Sequence, residues 1–432
     1  MSSPHTVAVI GGGLAGSEAA WALAERGVRV TLQEMRPAVP TPAHQTGRLA
    51  ELVCSNSFKS VETSNAHGLL KEELRRLGSI LLPAADLARV PGGSALVVDR
   101  EVFSAEVDRK LRAHPNITVI EGEATALPSP GIVATGPLTS QKLADAISAR
   151  LGTTALAFYD AIAPIVADDS LDHSVLYRLS RYGKGDGDDY LNAPMNREAY
   201  EAFIAALGAG DQYTGKEFDK VPYFEGCLPV EEMAARGAET LRFGPMKPVG
   251  LPDPRTGREP YAVVQLRRED KAGQMWNLVG FQTRLRIPDQ QRVLRMIPGL
   301  ADAEFLRYGS IHRNSYINSP RSLGPGLAHD GVFFAGQITG VEGYTESLGT
   351  GLLAGINLAR HLEGQPPAVP PPTTMLGALL RYLREANPDH FQPMNANFGL
   401  LEPLSGKVKK ADRKPLQAER ALADFDAWRA TL

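Results

Sequence analysis

The pattern of apolar and polar positions is clearest over residues 7–34. Residues 7–10 read V-A-V-I, an unbroken apolar run whose branched side chains suit a strand covered on both faces. The turn G-G-G-L-A-G follows. A run of small residues then predicts a helix over 17–26, and V-R-V-T-L-Q a second strand ending at Glu34. Further along, H-G-L-L-K-E-E-L-R-R-L sets leucines at helical spacing, an amphipathic helix runs through Leu111, I-T-V-I follows Pro115 as a strand, and G-I-V at 131–133 is a short buried strand. Late in the chain, G-V-F-F-A-G over 331–336 predicts a strand, 337–347 a loop, and G-T-G-L-L-A-G-I-N-L-A-R a helix from Gly349. After the polyproline stretch P-P-A-V-P-P-P, two more helices are predicted, T-M-L-G-A-L-L-R-Y-L and 416–432.

The middle has another texture. L-S-R-Y-G-K-G-D-G-D-D-Y is too polar for a core, and prolines and glycines interrupt E-G-C-L-P-V-E-E-M and L-R-F-G-P-M-K-P-V-G-L. The expectation is a discontinuous domain over 1–153 and 313–432, interrupted by an inserted α+β domain over 154–312.

The glycine spacing changes the picture from fold to chemistry. Gly11, Gly13 and Gly16 form GxGxxG between a strand and a helix. In a dinucleotide-binding turn these glycines give a tight bend, close backbone approach to a pyrophosphate and close helix-to-strand packing. Gly11, Gly12, Gly13, Leu14, Ala15 and Gly16 are therefore expected to cradle the pyrophosphate at a helix N-terminus. Glu34, about twenty residues on, is placed to accept from both ribose hydroxyls, and a 2′-phosphate there would be repelled. Large flavoproteins of the glutathione-reductase type close their FAD site with a late strand, loop and helix, and the C-terminal run resembles that arrangement. The resemblance implies an α/β, FAD-binding Rossmann-like fold in which Gly336, Gln337, Gly349, Thr350 and Gly351 complete the FAD site. Many of those families carry an acidic residue where this chain has Gln337.

Composition sets bounds. The chain has 432 residues, ordinary apolar and charged fractions and a formal net charge of −3, which argues against a wholly basic surface. It holds only two cysteines, Cys54 and Cys227, too few for a disulfide framework at this length. With no signal peptide and no apolar run of membrane-spanning length, the expected location is the cytosol. No Cys/His spacing suggests a metal site. From Arg255 to Arg313 there are eleven Lys or Arg against six Asp or Glu, read either as a solvated face or as a surface that tracks phosphates. Lys407, Lys409, Lys410, Arg413 and Lys414 form a second basic cluster, read as an exposed loop able to meet a polyanion.

The cysteines allow three readings: a redox pair, nucleophilic catalysis, or two buried thiols without a task. Each lies in a polar, serine- or proline-flanked segment and not in an apolar stripe, which favours chemistry. A thiolate that adds at uracil C6 makes C5 nucleophilic, which suits pyrimidine alkylation.

At this level of detail the chain resembles the folate- and FAD-dependent tRNA (uracil-5-)-methyltransferases. The matching stretches include V-I-G-G-G-L-A-G-S-E-A-A, L-V-C-S-N-S-F-K-S, Y-F-E-G-C-L-P-V-E-E-M-A, T-L-R-F-G-P-M-K-P-V-G-L, I-H-R-N and F-A-G-Q-I-T-G-V-E-G-Y-T-E-S-L-G-T-G-L-L-A-G, spread over most of residues 7–360. The resemblance implies 5-methyluridine formation in the tRNA T-loop. Methylenetetrahydrofolate would be the carbon donor, and FAD reduced by NAD(P)H would be carrier and reductant. It also implies Cys227 as the nucleophile and Cys54 as its partner in proton transfer or adduct stabilisation, with the exchanged pair as the alternative. No obligate protein partner and no membrane association is expected. Competing readings are the related FAD-dependent protein that modifies wobble uridine, a flavin-dependent thiol or quinone reductase, and a non-catalytic tRNA-binding module.

Overall fold

The computed structural model describes residues 5–152, 156–213, 228–406 and 408–432. Cys227 and Lys407 lie outside the described residues.

Two six-stranded sheets organise the chain. The first runs, in spatial order, through Ala328–His329, Val332–Phe334, Gly131–Val133, Thr6–Ile10, Arg29–Glu34 and Ile117–Glu121. All its pairings are parallel except the hairpin between the first two. Val9 lies opposite Leu32, and Ile10 opposite Val133, so the apolar residues of the central strands form the middle of the layer. Helices cover it, as a parallel sheet requires. The second sheet is antiparallel throughout, with strands Tyr177–Arg178, Tyr190–Met195, Ala262–Arg268, Met275–Leu278, Ile165–Ala167 and Phe305–Arg307. Its core includes Tyr200, Phe203, Trp276 and Phe281, and every member comes from residues 166–303.

A two-stranded ribbon joins the halves. Leu156–Ile162 pairs with Ser310–Tyr316 in antiparallel register, Ile162 opposite Ser310.

Two helices fix the shape of the parallel half. The first, Leu14–Ala24, packs along the late helix Tyr344–Leu362. A Cβ on Gly351 would lie 2.2 Å from the Ala15 carbonyl oxygen, and one on Gly355 2.6 Å from that of Ala19. The helix backbones touch, which explains why both sequences are so rich in alanine and glycine. Three predicted boundaries move. The first helix begins at Leu14, and the late helix begins at Tyr344 with the polar residues of its first turn paired: Glu346 accepts from the distant Ala396 N–H at 2.8 Å and Ser347 Oγ donates to Gly343 O at 2.9 Å. The last helix runs Lys410–Arg429, with Pro415 inside it. Lys410, Arg413 and Lys414 are therefore exposed on the opening turns of a helix and not in a loop.

Candidate active site

The glycine turn opens onto a cleft with about 1000 Å³ of empty space, counted out to where it meets solvent. Gly11, Gly13, Leu14, Ala15, Glu34, Gly336 and Gln337 all line it. Gly11 has φ +101° and donates to Gln33 O at 2.8 Å, which bends the chain out of the first strand. A Cβ on Gly16 would sit 1.8 Å from the Gly11 carbonyl oxygen, so this glycine serves helix-to-strand packing. Gly13 is different. A Cβ there would meet nothing within 4 Å, so the space beside it belongs to the cleft. Gly12 is crowded by protein: its Cβ would strike Leu49 and Glu34.

Glu34 is held on both sides. Oε2 accepts Gly12 N–H at 2.8 Å, while Oε1 accepts Arg36 N–H at 3.0 Å and Arg36 Nε at 2.9 Å. Burial alone would raise its pKa, but the Arg36 guanidinium and the Gly12 amide outweigh burial and hold the carboxyl below its ordinary value. Oε2, with one donor, keeps acceptor capacity toward the cleft. His44, also on the wall, is pushed down to about 4 by burial and by Arg36, so it stays neutral.

At the other end, Gly336 has φ +79° and donates to Thr350 Oγ1 at 2.8 Å. Thr350 itself does not line the cleft; it fixes the turn that does. Gly349 faces Leu376 and Leu74, and Gly351 faces Ala15. These three residues support the wall through packing, because the late helix starts five residues earlier than its glycine pattern suggests. Gln337 lines the cleft, and its Nε2 donates to Glu342.

Cys54 is half-buried on a loop next to this cleft, whose wall includes the adjacent Val53. The loop hangs on polar side chains. The Tyr344 hydroxyl, at the head of the late helix, accepts the N–H groups of Cys54 and Ser55 at 3.0 Å each and donates to Ser55 O at 2.8 Å. Burial, and next the proximity of Cys54, hold the Tyr344 phenol well above its ordinary pKa, so it stays protonated. Arg100 donates to Leu52 O at 2.9 Å and Cys54 O at 3.4 Å and pairs with Glu269 at 2.8 Å. Asn56 donates to Arg268 O at 2.8 Å and accepts from Arg267 Nε at 3.0 Å. Because Glu269, Arg267 and Arg268 belong to the antiparallel half, the Cys54 loop lies at the seam between the two sheets.

Sequence reasoning missed Tyr344, Arg100 and Arg36. Tyr344 stood in a segment read as loop, and its partners lie 290 and 289 positions away. Four of the eleven cations in the basic run from Arg255 are ion-paired within the protein: Arg255 with Asp253 at 2.8 Å, Arg286 with Asp211 at 3.0 Å, Arg292 with Asp289 at 2.6 Å and Arg284 with Glu232. Three of these partners, Asp253, Asp211 and Glu232, lie outside the run and offset part of its excess. Among the described residues no group of three His, Cys, Asp or Glu is placed to hold a metal, and no helix is long and apolar enough to cross a membrane.

The residues present fit FAD: a glycine position open to the cleft, a helix N-terminus beside it and an ionised acid with acceptor capacity at the end of the second strand. Strand order, turn and late helix together define a dinucleotide-binding protein of the FAD-binding Rossmann-like class. The family model for glucose inhibited division protein A matches residues 6–366. Curated relatives called methylenetetrahydrofolate–tRNA-(uracil-5-)-methyltransferase include that of Geobacter sulfurreducens, 59% identical over 431 residues and 99% of each chain. That of Thermus thermophilus is 54% identical over 427 residues, covering 98% of this chain and 96% of its own. The chain belongs to the glucose inhibited division protein A family and, within it, to the methylenetetrahydrofolate–tRNA-(uracil-5-)-methyltransferases. The solved GidA structure of Aquifex aeolicus shares the fold, with a TM-score of 0.69 at 17% identity over 98% of this chain and 74% of that one.

Proposed function

We propose that this protein methylates C5 of a uridine in tRNA, with methylenetetrahydrofolate as carbon donor and FAD as cofactor. The observation that carries the reading is identity above one half, sustained over nearly the whole chain, to methyltransferases of that name. The finer assignments are the T-loop as target, NAD(P)H as the source of electrons, and 1–153 with 313–432 as the cofactor-binding part around an inserted 154–312. That division is supported by an apolar core confined to residues 166–303.

Bound FAD would supply carbon transfer and reducing equivalents. The protein's own residues do the rest. The amides of Leu14 and Ala15 head an eleven-residue helix and favour the pyrophosphate, Gly13 leaves room for it, and Glu34 Oε2 receives a ribose hydroxyl. Tyr344 and Arg100 hold the Cys54 loop at the cleft wall by its backbone, leaving the thiol side chain for chemistry. In this reading Cys227 adds to uracil C6 and Cys54 moves the proton or stabilises the adduct. The seam suits this reading, since an RNA base entering between the halves would pass Cys54.

The test is incubation with tRNA, methylenetetrahydrofolate and NAD(P)H, followed by mass analysis of nucleosides. A gain of one methyl on uridine is expected. Cys227→Ala should abolish it while the yellow colour stays. A carboxymethylaminomethyl product, or NAD(P)H oxidation without any tRNA change, would replace this reading with one of its competitors.

A further inference from the structure

Among the described residues, one cation within electrostatic reach of Cys54 has no carboxylate in ion-pair contact. Arg307 ends the edge strand Phe305–Arg307, fixed opposite Ile165. Its Nη2 makes a single long hydrogen bond among the described residues, to Ala43 O at 3.4 Å, next to the cleft-lining His44. The groups acting on it electrostatically are Arg100, Tyr344, Cys54 and Glu269. Arg100 repels it while Tyr344, Cys54 and Glu269 favour its charged form, yet among the described residues none of them is ion-paired with it. Glu269 is engaged by Arg100 through two contacts, at 2.8 and 3.3 Å. Of the three acids on the cleft wall, Glu34 is bound to Arg36, Glu51 accepts from Gln45 N–H, Thr46 N–H and Arg36 at 2.6, 2.9 and 3.2 Å, and Glu123 pairs with Lys142 at 3.2 Å. Neutral His44 brings no charge. Burial, then repulsion by Arg100, lowers the pKa of Arg307, yet a guanidinium stays charged at any ordinary pH. A half-buried cation facing another cation is costly unless an anion arrives.

We propose that Arg307 is the contact for an anionic oxygen of the target nucleotide, held beside Cys54; this rests on the RNA-methylating reading above. Two oxygens of that nucleotide have the right chemistry. When a thiolate adds to uracil, its lone pair forms the S–C6 bond and the C5–C6 π pair moves through C4 onto O4, which becomes an enolate oxygen that a guanidinium stabilises. The other is a non-bridging oxygen of the flanking phosphate, negative before any reaction.

The two are separated with FAD-loaded Arg307→Gln, Arg307→Lys and wild type, using a T-arm RNA hairpin. If the ring oxygen is the ligand, kcat falls about 100- to 1000-fold in Arg307→Gln while RNA affinity stays within about twofold. If the phosphate is the ligand, affinity drops about tenfold or more, and the slope of log K against log salt loses about one unit. Arg307→Lys, which keeps the charge, should recover most of the phosphate contact and less of the ring contact. Should Arg307→Gln lose its flavin spectrum, Arg307→Lys carries the same readouts. The proposal is overturned if a yellow Arg307→Gln protein keeps both kcat and RNA affinity, or if only the folate KM changes. A wild type that binds the hairpin but does not methylate it would instead sink the functional reading, with the affinity arm still reporting on Arg307.

Discussion

The glycine turn and the Cys54 loop border one cleft but are held by opposite means. At the turn the constraint is volume: Gly16 and Gly351 bring backbones so close that a single carbon has no room, and Gly13 keeps free the space a ligand needs. At the loop the constraint is polarity: a phenol, a guanidinium and an amide side chain hold backbone groups that no sheet or helix satisfies. The turn therefore fails when atoms are added and the loop when they are removed. On the proposed function, the bound cofactor is served by a rigid seat and the thiol that would meet the RNA by a mount held through hydrogen bonds.

The sharpest way to break the symmetry of this pair is Gly13→Val. Its Cβ meets no protein atom within 4 Å and lies in the cleft, so we expect a folded, colourless protein: flavin absorbance lost, and a melting temperature close to that of wild type stripped of cofactor. Retained yellow colour would remove the turn from the cofactor site. Next in size is Tyr344→Phe. It deletes one hydroxyl that serves three backbone groups and leaves two N–H donors unmet, for about 1–3 kcal/mol of stability, visible in denaturant melts, and faster amide exchange at Cys54 and Ser55. Unchanged exchange would mean the loop is held by other contacts.

The third effect concerns pH. Lys71 is buried, donates to Phe58 O at 2.6 Å just beyond the Cys54 loop, and is pushed down to about 7, chiefly by burial. The folded state releases this proton near pH 7 and the unfolded state near 10.5, so the unfolded state binds more protons between those values and stability rises with pH there. The gap in unfolding free energy between wild type and Lys71→Met should therefore shift in favour of wild type from about pH 7 to about pH 10. Gly13→Val should track wild type across the same range. A flat difference for Lys71→Met would show that the amine is not titrating in the fold.

The same contrast explains what could be read from the sequence. Gly11, Gly13, Gly16, the flanking apolar runs and Glu34 act on near neighbours or through a local repeat, so their spacing announced the turn, the parallel sheet and the small-residue helix. The loop's partners were invisible because each contact joins distant positions: Tyr344 to Cys54, Arg267 to Asn56, Arg100 to Glu269. A polar run such as T-E-S after Tyr344 looks like loop unless one knows that Glu346 caps Ala396 N–H from a buried position. Arg307 was counted within a basic run, and nothing in the run distinguishes a cation whose neighbours are paired with one another from the exposed ones around it. Cys227, the other candidate thiol, lies outside the described residues.

The ribbon of Leu156–Ile162 and Ser310–Tyr316 has a consequence for how such a chain can be edited. Entry to and exit from the antiparallel half run side by side, with Ile162 and Ser310 directly across from each other. A two-residue hairpin spliced between those positions would shorten the chain by more than 140 residues without severing a strand of the parallel sheet. The layout is that of a cassette with a single socket, so the glycine-turn half can be asked to fold, and to colour, without it.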